Sequence, residues 1–202
     1  MDNRKLSEKE NLELISKMIR NTKEDLNTRD WNIFLIMGYS AFILSIVVYA
    51  LVSITNIYQF SLLWLLMFVA AFITRIYKKK NKPTMISYTG KMIIQTWRII
   101  GSLFGITFIV LFLSAFFMNY VDFGLMLPLS LIYASIGTAI TGLVIKEKPL
   151  IFSPLVGFVV AIYMLVYLVQ NQHIELIWNL YLGGAFFIMM VIPIRILNKK
   201  IK

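Results

Sequence analysis

A chain of 202 residues that is 59% hydrophobic and 15% charged, with a mean hydropathy of +0.76, carries far more apolar surface than a soluble core of that size can bury. Its net charge of +10 does not point to nucleic acid: seven acids and seven bases cancel within residues 1–30, and the surplus lies on short segments between long apolar runs. The absence of cysteine excludes disulfides, thiolate metal sites, cysteine nucleophiles and palmitoyl anchors, and one histidine makes a His-based metal site equally poor.

Residues 1–30 are the one segment with soluble character. Ser7 and Glu10 have the spacing of a capping box, in which each side chain satisfies the other residue's backbone N–H. Leu12, Ile15, Ile19, Thr22 and Leu26 then recur at alternating spacings of three and four, Leu14 and Met18 widen the stripe, and Glu13 and Lys17 form an i,i+4 pair. The pattern predicts an amphipathic cytoplasmic helix over residues 7–27, about 30 Å long. Its stripe of Leu12, Ile15, Ile19 and Leu26 either rests on the membrane surface or docks a protein partner. No small-residue cleavage site follows the first apolar run, so the first span is expected to be an uncleaved anchor.

All twenty Lys and Arg residues fall before Trp31, between Arg75 and Arg98, at Lys146 and Lys148, and from Arg195 onward. Anionic lipid and the membrane potential hold such clusters on the cytoplasmic side, and the apolar runs between them come in pairs. An all-α polytopic bundle of six spans with both ends cytoplasmic is the predicted fold, a multi-pass protein of the bacterial inner membrane. The spans are placed at about 31–53, 57–77, 97–118, 123–145, 150–169 and 174–197, each near the twenty residues a crossing requires. Arg75, Lys78, Lys79, Lys80 and Lys82, closed by Pro83, give the strongest orientation signal. Residues 84–96 suit a short interfacial helix leading into the third span. Trp31, Trp97 and Trp178 fall near span ends, where the headgroup region favours amphipathic rings.

Between apolar helices in lipid, close approach depends on small residues. Gly101 and Gly105 in the third span, Ser130, Ala134, Thr138 and Gly142 in the fourth, and Ser153, Gly157 and Ala161 in the fifth are expected to face the bundle, with a homodimer seam or a solute path as the alternatives. Pro128 and the pair Gly183 and Gly184 are the candidate helix breaks, while Pro154 and Pro193, near their span ends, read as tolerated kinks.

No ionisable residue falls near a span centre, which argues against a proton-coupled pump while leaving a carrier of neutral solutes open. Asp122, His173 and Glu175 meet on the outer face only if the fourth and sixth spans are neighbours, and their spacing is not that of a metal site. H-E-x-x-H, G-x-S-x-G, paired membrane aspartates and phosphate-binding glycine loops are all missing, so neither catalysis nor a cofactor is expected. The lipid bilayer, a protein at the N-terminal helix and a second copy are the candidate partners. A regulatory or accessory subunit is the expected role, and a small permease for neutral or lipophilic solutes is the alternative.

With ISKMI followed by NTKEDLN, the entry WNIFLIMGY and the ending IPIRILNKK, the chain resembles a group of small bacterial membrane proteins of about this length that have no assigned function. The resemblance implies the six-span layout over most of the chain and carries over no functional residue. In that group the sixth span tends to end in a Pro-Gly-His-like turn, whereas here Pro193 is followed by Ile194 and Arg195.

Overall fold

The structure, a computed structural model, describes residues 34–70, 72, 76, 88–118, 123–171 and 175–201. In lipid every backbone polar group must be satisfied within its own segment, and uncharged runs of Ile, Leu, Val and Phe do this by winding into helices. The described residues are helical with short turns and no strand. Five helices are long and apolar enough to cross a membrane. The N-terminal helix and its stripe of Leu12, Ile15, Ile19 and Leu26 lie outside the described residues.

Helix α1 (Phe34–Thr55) ends where Asn56 adopts a left-handed φ of 55° and donates its N–H to Val52 O at 2.8 Å. Asparagine tolerates that conformation, so one residue closes the helix and starts the turn. Helix α2 (Tyr58–Ala70) opens as a 3-10 helix over Tyr58–Leu65. With the longer rise of that winding, α2 covers about 24 Å.

Helix α3 (Tyr88–Met118) runs unbroken through Trp97, so residues 88–96 are continuous with the segment expected as the third span. Its 31 residues extend about 46 Å, roughly half as long again as the hydrocarbon core. Helix α4 (Met126–Ile145) ends in a left-handed residue, Lys146 at φ 63°. Glu147 N–H donates to Gly142 O at 3.0 Å and Lys146 N–H to Leu143 O at 3.2 Å, the bond pair of a Schellman motif.

Helices α5 (Lys148–Phe152) and α6 (Pro154–Asn171) cover the segment expected as the fifth span, with an interruption at Ser153. The segment expected as the sixth span holds α7 (Trp178–Phe186), a π-helical segment (Phe187–Val191) and α8 (Ile192–Ile201), and α7 begins after a turn at Leu176 and Ile177.

At the centre stands α4, packed against α3, α5, α6 and α7. A Cβ on Gly142 would lie 2.6 Å from the Leu150 carbonyl carbon and 2.7 Å from Ile151 N, so two backbones touch there. Gly137 faces Trp97 and Ile100, and Gly157 faces Ser135 and Met189. On the other flank α1 joins α7 and the π-helical segment, with Gly183 against Ser45 and Gly38 against Val191 and Met190. Leu131, Met164, Trp178, Leu182, Met189 and Ile194 fill the core between these contacts.

The expectation that Gly101 and Gly105 face the bundle is corrected: among the described residues nothing lies within 4 Å of the Cβ position at either glycine. Helix α3 is peripheral and far less buried than the helix over Trp178–Lys199, with Gly101 exposed and Gly105 half-exposed. Trp97 donates from its ring N–H to Thr141 Oγ1 at 3.2 Å, near the end of α4, and Trp178, the first residue of α7, is fully buried against Tyr167.

Candidate functional site

The two proline-interrupted spans meet inside the bundle. Pro193 has no N–H and its ring crowds the carbonyl of the residue four before it, which is Met189. The helix responds by widening into the π-helical turn at Phe187–Val191. The Met189 carbonyl is not left unpaired, for the Ser153 hydroxyl donates to it at 3.0 Å from across the interface. Ser153 in turn occupies the interruption between α5 and α6, held by its own N–H to Pro149 O at 3.0 Å. Ser135 completes the crossing, with its hydroxyl 3.6 Å from Met189 Sδ and Gly157 directly beside it.

This crossing replaces the predicted breaks. Helix α7 runs unbroken through Gly183 and Gly184, of which the first admits Ser45 and the second has no neighbour among the described residues within 4 Å of its Cβ position. Pro128 sits buried in the first turn of α4, where a missing N–H costs nothing, and the helix continues through it. Of the expected packing residues, Ala134, Thr138, Gly142, Gly157 and Ala161 are buried, while Ser130 and Ser153 are half-buried. Sequence reasoning counted Ser153 as merely small; the signal missed was a proline four residues after a buried carbonyl.

Other interior hydroxyls are turned back onto their own helices. Thr138 donates to Ala134 O at 2.8 Å, Thr141 to Gly137 O at 2.7 Å and Ser45 to Phe42 O at 2.7 Å. Hydroxyls satisfied in this way offer no free polar surface to a solute. The best-formed hollows among the described residues, about 270 and 260 Å³, lie along the outer sides of α2 and of α6 rather than between helices.

Among the described residues, charge is confined to the ends. Ring contact between Phe34 and Trp97, at 5.4 Å, together with the packing of α5 on α8, brings Lys91, Arg98, Lys146, Lys148, Arg195 and Lys199 to one end of the bundle. At the opposite end Tyr167 donates its hydroxyl proton to Glu175, and Trp64 donates to Asn179 Oδ1 at 2.8 Å, which ties α2 to α7. Among the described residues no group of three His, Cys, Asp or Glu can hold a metal ion. Asp122 and His173 lie outside those residues.

Comparison with protein-family models, with curated proteins and with solved structures finds no match.

Proposed function

We propose that this chain is a six-span protein of the bacterial cytoplasmic membrane, with both ends in the cytoplasm, that acts as a regulatory or accessory subunit through its N-terminal amphipathic helix. One observation carries the reading: the hydroxyls of Thr138, Thr141 and Ser153 are satisfied by the bundle's own carbonyls, and the described charged side chains gather at the ends. A bundle of this kind is a scaffold, and its recognition surfaces lie outside the membrane core. The test is site-specific crosslinking in intact membranes from position 15 or 19 of the predicted helix. A defined protein adduct, lost when residues 1–10 with the capping box are removed, supports the role. Crosslinks to lipid alone sink it.

The crossing at Ser153 and Met189 favours a second reading, a permease for neutral or lipophilic solutes, because interrupted helices that face each other are where transporters hold substrate. It requires the crossing to open. Proteoliposome flux that Ser153→Ala leaves unchanged would count against it.

A further inference from the structure

We propose that Arg195, Tyr39 and Lys199 form a binding site for the phosphate group of an anionic phospholipid at the basic end of the bundle. Arg195 Nη2 donates to Tyr39 Oη at 2.7 Å, and its guanidinium carbon lies 5.8 Å from the centre of the Tyr39 ring. The ring is itself fixed, with Phe187 edge-on at 5.9 Å and Phe187 packed against Phe42 at 5.0 Å. Phe187 is the first residue of the π-helical turn, and Gly38, beside Tyr39, packs against Val191 at the end of that turn. The helix irregularity thus sets the distance between α1 and α8 that the arginine bridges.

A guanidinium has five N–H donors in a rigid fork, and Tyr39 accepts from one nitrogen. No acid pairs with Arg195 among the described residues, where Glu147 sits in the α4–α5 turn and Glu175 at the far end of the bundle. The Tyr39 hydroxyl, having accepted, still has its own hydrogen to donate. Lys199 stands one turn further out on α8, close enough at i,i+4 for both cations to address one ligand. The donors match a phosphodiester: a two-pronged arginine contact, a phenol and a second positive charge.

The surroundings select a lipid over a free anion. Exposed Ile36 and Ile43 lie above and below Tyr39 on α1, and exposed Ile188 in the π-helical segment and Ile192 on α8 precede Arg195. Acyl chains cover such a surface, whereas a soluble anion would leave it in water. A second positive charge near the headgroup raises affinity for an anionic lipid by about fivefold.

The experiment is native mass spectrometry of the full-length protein in detergent, titrated with phosphatidylglycerol or with chain-matched phosphatidylcholine. Wild type is expected to prefer phosphatidylglycerol by about fivefold or more. Arg195→Gln and Lys199→Gln should each remove most of that preference, Tyr39→Phe should weaken it several-fold, and Lys91→Gln should leave it unchanged. If Arg195→Gln does not fold, Tyr39→Phe and Lys199→Gln carry the test. Equal binding of the two lipids by wild type overturns the site, as does an effect of Lys91→Gln as large as that of Lys199→Gln. Displacement of the lipid by an equal concentration of inorganic phosphate overturns the lipid assignment in favour of a soluble anion.

Discussion

At the scale of single residues, the packing of this bundle depends on where a Cβ has room. Gly142 has none: its Cβ position is 2.6 Å from the Leu150 carbonyl carbon, and a backbone cannot rotate away as a side chain can. Gly142→Ala is therefore expected to cost about 1–3 kcal/mol, the range of overpacked sites, and to lower the melting temperature in detergent. Gly101→Ala should leave that temperature unchanged or raise it slightly, since its Cβ would meet none of the described residues within 4 Å. Lys146 makes the reverse case. A left-handed φ of 63° costs a lysine about 1–2 kcal/mol, so Lys146→Gly should stabilise the turn, while Lys146→Val should weaken it. Equal melting temperatures for the glycine and valine variants would contradict the left-handed cap.

At the scale of elements, the interrupted pair α5–α6 and the run from α7 to α8 form one unit through Ser153 and Met189. Ser153→Ala should cost about 1–3 kcal/mol by leaving the Met189 carbonyl without a donor. Restoring a backbone N–H with Pro193→Ala offers that carbonyl an in-helix partner, so the cost of Ser153→Ala should shrink in the Pro193→Ala background. Additive effects in this double-mutant cycle would show that the proline and the serine are not linked. Much of the element order was legible in sequence, since Asn56 and the Lys146–Lys148 turn interrupt apolar runs where the helices end. The faces and breaks were less so. A G-x-x-x-G pattern says that a neighbour can approach closely and not on which side the bundle lies, so it points Gly101 and Gly105 inward although no described residue comes within 4 Å of either Cβ position. A glycine pair does not break a helix whose neighbours pack against it, as Ser45 does at Gly183; a proline that strips a carbonyl of its donor does. The side-chain bonds from Trp64 to Asn179 and from Trp97 to Thr141, and that of Arg195 with Tyr39, join distant segments and have no local signature.

At the scale of the whole molecule, the described helices form an apolar bundle with a basic end, built from the ends of α3, α4, α5 and α8. Both proposals hang on that polarity, because a partner-binding N-terminal helix and a phospholipid at Arg195 belong on the cytoplasmic side. The chain contains no cysteine, so single cysteines can be introduced without background. Asn56 and Lys146 are suitable positions, since each is exposed in a turn at the end of a helix. The decisive measurement is labelling of Asn56→Cys and Lys146→Cys with a membrane-impermeant maleimide in intact cells, then after lysis. The expected result is that Asn56→Cys reacts in intact cells and Lys146→Cys only after lysis. Labelling of Lys146→Cys in intact cells, with Asn56→Cys protected until lysis, would invert the protein in the membrane and contradict the cytoplasmic placement of its basic end.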